Sequence, residues 1–219
     1  ALEYAERLAG VAERLADRGA WIDVLERRDE DIDAYLAYLH GGARDAAVVG
    51  EMTPAYALLT EERLSAMARM APDVRFLYLM RDPVERLWSH IRMMAGRRAP
   101  DGAVTVESCG YIFERVLAGE ENEIAIRSDY ASAMDKLTSA VPSGKLLFAV
   151  FEEMVKASGL DRICDFLDIS RMVADPEPVY AGQDLEMSAT QRARAAKWLA
   201  PQYAAAERRL GAMPEGWAR

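Results

Sequence analysis

Cysteine and histidine are scarce in this sequence, and long apolar runs are missing. Cys109 and Cys164 have no partner motif and no metal-ligand spacing, which argues against a disulfide scaffold or a metal site and favours a reduced, cytoplasmic setting. No run approaches the roughly 20 apolar residues of a membrane-spanning helix, and no signal peptide is visible. We therefore expect a protein without a membrane span.

Basic residues are also in the minority. The 219 residues include 36 Asp and Glu against 27 Lys and Arg, which gives a net charge of −9. This balance argues against a nucleic-acid partner and weakens the case for a highly sulfated polyanion as substrate. Half of the residues are hydrophobic, so we expect one globular domain over residues 1–219.

Three short apolar runs, at residues 46–49, 74–80 and 145–151, have the pattern of strands buried on both faces. Helical patterns separate them. The order of elements predicts an α/β fold of three layers around a parallel sheet, with crossover helices between the strands.

The most informative stretch is Arg75 to Met94, RFLYLMRDPVERLWSHIRMM. It predicts a strand, a tight turn and a helix. Asp82 suits the N-cap and Pro83 the first helical position, and Glu85 stands where it would complete a capping box.

A turn of this kind favours anion binding, because free backbone N–H groups and the positive end of a helix dipole lie beside the end of a strand. Arg81 precedes the cap, and Arg86 and Ser89 lie on roughly the same flank of the helix as the cap. These side chains could share a phosphate. The alternative is structural, with Arg81 paired to a neighbouring carboxylate and Ser89 bonded to the preceding helical turn.

Several segments together resemble one family. RDPVERLWSH (81–90) resembles the 3′-phosphate-binding motif of the PAPS-dependent sulfotransferases, in the branch that includes the heparan sulfate enzymes and many bacterial members. Further pieces of the family follow in the right order: VVGEMTPAY (48–56), RSDYASAMDKL (127–137), KLLFAVFEEM (145–154), CDFLDI (164–169) and the tail YAAAERRLGAMPEGW (203–217).

The resemblance implies a three-layer, P-loop-NTPase-like fold and a metal-free transfer of a sulfuryl group from PAPS to a hydroxyl or amine, with PAP as product. It implies that Arg81 and Ser89 grip the 3′-phosphate of the nucleotide. It also implies that Arg127 and Tyr130 lie near the acceptor, although a capped amphipathic helix explains these two residues equally well. The expected acceptor is a small molecule or a carbohydrate.

Glu51 follows the predicted strand at 46–49, where a carboxylate could take the proton of the acceptor. Alternatively it bonds the turn at Thr53, pairs with Arg81, or orients substrate or cofactor. The heparan branch takes its base from an upstream Lys-Glu segment that this chain lacks. Met52 also departs from a lysine that many members carry.

Two further departures concern the nucleotide. The family's Lys-x-Gly-Thr loop for the 5′-phosphosulfate is absent from this sequence, which we interpret as a partial chain. YAGQD (180–184) replaces a loop that usually carries a basic residue. The alternatives are therefore a non-catalytic nucleotide-binding or interaction domain of degenerate sulfotransferase fold and, without a Walker A sequence, less favourably a P-loop kinase-like phosphotransferase.

Overall fold

The computed structural model describes residues 2–27, 30–43, 46–173 and 185–217. The chain divides into two compact units, Ala1–Thr53 and Pro54–Arg219, which are described separately. The YAGQD segment at 180–184 lies outside the described residues.

The first unit contains two helices, α1 (Leu2–Leu25) and α2 (Ile32–Gly41). Asp31 caps α2 by accepting a hydrogen bond of 2.9 Å from the backbone N–H of Ala34. The ring of Trp21 contacts the ring of Tyr38 at a centroid distance of 5.2 Å and so joins the two helices.

The second unit holds the sheet and the remaining helices. After a 3₁₀ turn (Pro54–Leu58), its elements are α3 (Glu61–Met67), β1 (Phe76–Met80), α4 (Pro83–Arg98), α5 (Val106–Leu117), α6 (Asn122–Ile126), α7 (Tyr130–Ala140), β2 (Leu146–Val150), α8 (Phe151–Met154), α9 (Ala157–Leu167), α10 (Ala189–Trp198) and α11 (Ala200–Leu210).

Within the described residues the sheet consists of β1 and β2, which pair in parallel with Phe76 opposite Leu146 and Met80 opposite Val150. The predicted strands at 74–80 and 145–151 are thus confirmed in slightly shorter form. Since the strands are parallel, their carboxyl ends lie at one edge of the sheet, where β1 leads into α4 and β2 leads into α8.

The predicted strand at 46–49 is wrong. These residues are irregular, and the Val48 side chain is 45% exposed. An apolar run forms a strand only if a neighbouring strand pairs with its backbone, and among the described residues no strand pairs with 46–49. Two of the four residues are alanines, which provide little apolar surface to stabilise such pairing.

Helices cover one face of the sheet, whereas on the other face α9 covers β2 and leaves Leu77 and Leu79 of β1 exposed at 40% and 38%. The prediction that residues 74–80 are buried on both faces is therefore wrong for β1, because no described element packs on this face of that strand. Helix α4 packs on one face through Val84, Leu87 and Ile91, each fully buried, as the helical spacing predicts. On the other face, Ile163 of α9 packs against Leu147 of β2. This arrangement confirms an α/β fold with a parallel sheet, in which helices dominate.

In the described part of the chain, no helix has the length and the apolar character needed to cross a lipid bilayer. Cys109 and Cys164 are both buried and free.

Candidate functional site

The turn between β1 and α4 is closed by the capping that the sequence predicts. The carboxylate of Asp82 accepts hydrogen bonds from the backbone N–H groups of Val84 at 2.9 Å and Glu85 at 3.0 Å, and Pro83 occupies the first turn of the helix. Asp82 is only 3% exposed, so water does not compete for these bonds. The cap bonds come from neighbouring residues, and local sequence therefore defines the start of α4.

The predicted capping box with Glu85 is wrong. One Glu85 oxygen instead accepts a hydrogen bond of 2.6 Å from Arg192, while the backbone N–H of Asp82 donates to Glu152 Oε1 at 2.9 Å. A charge-assisted bond to arginine is stronger than a bond to a neutral backbone amide, which explains why Glu85 turns away from the cap.

The turn also offers no free backbone donor, contrary to the prediction. Asp82 accepts from two N–H groups of the first helical turn, Pro83 has none, and the N–H groups of Arg81 and Asp82 donate to Tyr130 and Glu152. An anion at this turn would therefore be held by side chains, not by the end of the helix.

Arg81 is the cation best placed for that role. Its guanidinium group lies at the carboxyl end of β1, with Cζ 5.6 Å from the centre of the Phe151 ring. The carboxylate of Glu85 approaches it only to 3.9 Å, which is beyond hydrogen-bonding distance. The side chain is 39% exposed, so a ligand can reach it. The predicted alternative of a close ion pair is thus present only as a loose contact.

Ser89 lies on α4 two helical turns after the cap and is half-buried. Within the described residues its hydroxyl makes no side-chain hydrogen bond, so the predicted bond to the preceding turn is not formed. The nearby Arg86 is directed elsewhere, because its Nη1 donates to Ser128 Oγ at 2.8 Å. Burial lowers the pKa of Arg86 below its ordinary value.

Tyr130 fixes the backbone of Arg81. Its buried hydroxyl accepts from the Arg81 N–H at 3.2 Å and donates to the Arg81 carbonyl at 2.9 Å. Burial raises the pKa of Tyr130 to about 12, so the hydroxyl keeps its proton at neutral pH. The structure therefore brings Arg81 and Tyr130 together, with Tyr130 at the start of α7 bonded to the backbone of the turn.

Arg127 ends α6, where its Nη1 donates to the Glu123 carbonyl at 2.9 Å. The neighbouring Ser128 does not cap α7. Asp129 caps α7 by accepting from the Ser132 N–H at 3.1 Å. The Ser128 hydroxyl is buried and donates to a carbonyl of α6, which leaves the cap position to Asp129.

The candidate base, Glu51, lies in the first unit. Its carboxylate accepts hydrogen bonds from the hydroxyls of Tyr35 and Thr53. The contact with Thr53 is one of the alternatives that the sequence allowed. Glu51 does not follow a strand, because residues 46–49 form none.

Two further basic residues of α4 lie outside the turn. His90 is half-buried, and burial followed by the charges of Arg86 and Arg127 lowers its pKa to about 4, so it is neutral at physiological pH. Arg98 forms two hydrogen bonds of 2.8 and 2.7 Å with the buried carboxylate of Glu121. Burial of an acidic side chain requires a cationic partner, which Arg98 provides.

Sequence reasoning missed three residues that support the turn: Glu152 and Tyr203, which bond to Asp82, and Trp217, which contacts both of them. Glu152 follows shortly after the end of β2. The parallel pairing places this end beside the end of β1, and this signal could have identified it. Among the described residues, no cluster of three or more His, Cys, Asp or Glu side chains is arranged to hold a metal ion.

Comparison with known proteins identifies the family of the chain. A family model described as the sulfotransferase family matches residues 4–175, and the chain therefore belongs to that family. A crystal structure of a sulfotransferase from Alicyclobacillus acidocaldarius is similar in fold, with a TM-score of 0.65 and 24% sequence identity over 90% of this chain and 77% of that one. No protein of curated function matches the sequence.

Proposed function

We propose that this protein transfers a sulfuryl group from PAPS to a hydroxyl or amine acceptor and releases PAP. Family membership supports sulfuryl transfer in general. The observation that carries the nucleotide assignment is the position of Arg81. Its guanidinium group stands at the carboxyl end of a parallel strand, where ligands of α/β proteins bind, and its backbone is fixed on both sides by Tyr130.

Arg81 and Ser89 are the proposed ligands of the 3′-phosphate. A guanidinium group offers paired N–H donors that match the oxygens of a phosphate, and the serine hydroxyl adds one neutral donor. Both side chains can donate hydrogen bonds to a phosphate. The Glu85 carboxylate lies 3.9 Å from the Arg81 guanidinium group, and within the described residues the Ser89 hydroxyl has no side-chain hydrogen bond. Arg86 adds positive charge near the same helix face, although its guanidinium bonds to Ser128.

Arg127 is the proposed contact to the acceptor. An open cleft of about 370 Å³ begins beside it, and this size suits a small molecule or one sugar unit. The cleft is lined by Ala125, Ile126, Ser128, Asp129, Trp198, Leu199 and Gln202. Tyr130 was predicted beside Arg127 as an acceptor contact. Because its hydroxyl is engaged by Arg81, we assign it the role of positioning that arginine.

Glu51 is the proposed base. When PAPS is bound, the acceptor oxygen or nitrogen forms a bond to sulfur, the bond from sulfur to the 5′-phosphate oxygen breaks, and the acceptor proton passes to a base. A carboxylate can take that proton, and the hydrogen bonds from Tyr35 and Thr53 orient Glu51 for such a role. The protein otherwise acts by positioning groups and neutralising charge, as in phosphoryl transfer.

We also propose a cytoplasmic location, a reaction without a metal and no nucleic-acid partner. The two free cysteines support a reducing compartment, and the net charge of −9 disfavours nucleic acid.

Calorimetric titration with PAP and with 5′-AMP, which lacks the 3′-phosphate, tests the nucleotide assignment. Replacing Arg81 by Ala removes a charge-assisted contact of roughly 1.5 to 3 kcal/mol, and Ser89→Ala removes a neutral one of about 0.5 to 1.5 kcal/mol. We therefore expect PAP affinity to fall about tenfold or more for Arg81→Ala and several-fold at most for Ser89→Ala. The affinity for 5′-AMP should hardly change.

Two controls sharpen this test. Arg194→Ala removes another surface arginine, which pairs with Glu114, and should leave both affinities unchanged. The Arg81→Ala/Ser89→Ala double variant should cost less than the sum of its singles, because both residues contact one phosphate. Equal losses for PAP and 5′-AMP would mean that Arg81 only supports the fold.

A further inference from the structure

The carboxylate of Glu152 connects two distant parts of the second unit. Its Oε1 accepts the backbone N–H of Asp82 at 2.9 Å, and its Oε2 accepts the indole N–H of Trp217 at 3.0 Å. Each oxygen thus has its own donor. The bond to Asp82 reaches the residue that immediately follows Arg81, so the position of Glu152 affects the turn directly.

Trp217 is itself held in place. A turn brings it back to the core, with its backbone N–H donating to the Pro214 carbonyl at 3.2 Å and Gly216 at a φ of +82°, a conformation that favours glycine. Its ring is buried and meets the ring of Tyr203 edge-on at a centroid distance of 6.1 Å. The indole therefore presents its N–H to Glu152 from a fixed position.

Tyr203 makes a second connection to the same turn. Its hydroxyl donates to the buried carboxylate of Asp82, at 3.0 Å from Oδ2 and 3.1 Å from Oδ1. Burial and the neighbouring Asp82 carboxylate raise the pKa of Tyr203, which keeps the hydroxyl protonated and able to donate. The ring contact joins this connection to that of Trp217.

We infer that Trp217 and Glu152 are positioning residues for nucleotide binding, because they hold the backbone at Asp82 and thereby the direction in which Arg81 leaves the turn. This inference rests on the proposed role of Arg81. Neither residue is assigned a contact with the nucleotide. Their effect on the 3′-phosphate passes through the backbone of the turn.

The chemistry of Glu152 separates positioning from general support of the fold. Gln in place of Glu152 has one acceptor oxygen and one N–H₂ group, so it cannot accept from both Asp82 and Trp217. Either the backbone N–H of Asp82 or the indole N–H of Trp217 must then face the N–H₂ group of the Gln side chain. Replacing Trp217 by Phe removes the second donor, and the Gln oxygen can then accept from Asp82. The double variant should therefore recover part of what Glu152→Gln loses.

The change in charge at residue 152 has the opposite effect on PAP affinity to the change in geometry. Glu152→Gln removes a negative charge near Arg81, and this alone would strengthen the binding of a phosphate. A loss of PAP affinity in this variant consequently reports a change in geometry and not in the local potential.

The experiment measures PAP and 5′-AMP affinities by calorimetry, and the thermal midpoint of unfolding, for Trp217→Phe, Glu152→Gln and the double variant. Loss of one hydrogen bond of about 0.5 to 1.5 kcal/mol corresponds to about a 2- to 12-fold loss of PAP affinity in each single variant. The 5′-AMP affinity should stay the same. The double variant should bind PAP more tightly than Glu152→Gln alone. Trp21→Phe, in the first unit, and Glu153→Gln serve as matched controls without effect on the ratio of the two affinities.

Single variants with a lower thermal midpoint but an unchanged ratio of PAP to 5′-AMP affinity would overturn the inference, as would a double variant weaker than Glu152→Gln. The proposed function fails in a different way, with an Arg81→Ala variant that keeps the wild-type preference for PAP. If Arg81→Ala loses this preference while Trp217→Phe and Glu152→Gln keep it, only the positioning role is refuted.

Discussion

Replacing Tyr130 by Phe tests how the turn holds Arg81. The substitution keeps the ring, which contacts Tyr78 edge-on at 6.1 Å, and removes only the hydroxyl. That hydroxyl pairs with both the N–H and the carbonyl of Arg81, and the Tyr130 side chain is only 4% exposed. A buried backbone group that loses its partner costs about 1 to 3 kcal/mol, so we expect the free energy of unfolding to fall by about that amount.

The same change should weaken PAP binding within a definite limit. Tyr130 acts through Arg81, so the loss of PAP affinity in Tyr130→Phe should not exceed the loss in Arg81→Ala. In a variant that already lacks the Arg81 side chain, Tyr130→Phe should add almost nothing to the loss of PAP affinity.

Denaturant unfolding and calorimetric titration with PAP measure both effects. Tyr111→Phe is the matched control, because Tyr111 is 65% exposed on α5 and its hydroxyl has no part in the turn. A Tyr130→Phe protein with the stability and PAP affinity of the Tyr111→Phe protein would refute the reasoning.

Three further predictions concern the base, a buried ion pair and the core. Glu51→Gln should lower turnover by about 10² to 10⁴ with PAP affinity nearly unchanged, and lost PAP affinity with intact turnover at saturation would refute a role as base. Hydrogen bonds from Arg98 and then Arg115 lower the pKa of Glu121 to about 2, so its contribution to stability is present above its ordinary pKa of 4.5 and is lost as pH falls towards 2. Glu121→Gln should therefore destabilise the protein at pH 7 but not near pH 2, and an equal deficit at both pH values in denaturant unfolding would contradict this. Ile91→Ala should cost about 2 to 5 kcal/mol of unfolding free energy, because Ile91 is fully buried, and a cost below 1 kcal/mol would place it outside the core.

Local chemistry explains what the sequence predicted well. The Asp82 cap, the proline beside it and the apolar stripe of α4 all depend on residues within a few positions of one another, and each is present. The strands at 76–80 and 146–150 were predictable for a related reason. A continuous apolar run between polar turns is typical of a strand in the interior of a sheet, and it identified β1 even though Leu77 and Leu79 remain exposed on one face.

Contacts between residues far apart in the sequence explain the features that the sequence did not predict. Glu85 bonds to Arg192, which is 107 residues away, and not to the backbone of the cap. The backbone N–H of Asp82 bonds to Glu152, at a separation of 70 residues. Residues 46–49 had strand-like composition but no neighbouring strand. In each case the outcome depends on what the tertiary fold brings together, and no local pattern contains that information.

The same distinction applies to the candidate site. The motif identified Arg81 and Ser89, because both lie on one strand-turn-helix segment. Three residues far away in the sequence support this segment. Glu152 follows β2, Tyr203 lies on α11, and Trp217 lies in the turn after α11. The pairing of β1 with β2 brings Glu152 to the turn, and the packing of α11 and of the turn after it brings Tyr203 and Trp217 there.

Sulfuryl transfer from PAPS labelled with radioactive sulfur tests the central claim most directly. The folded protein, saturated with PAPS, is incubated with a panel of alcohols, phenols, amines and carbohydrates, and both the labelled product and PAP are quantified. We expect label to appear on at least one acceptor class with one PAP formed per transfer, and at a lower rate with Arg81→Ala at limiting PAPS. Binding of PAP without transfer to any acceptor class would contradict the account and would identify a non-catalytic nucleotide-binding domain.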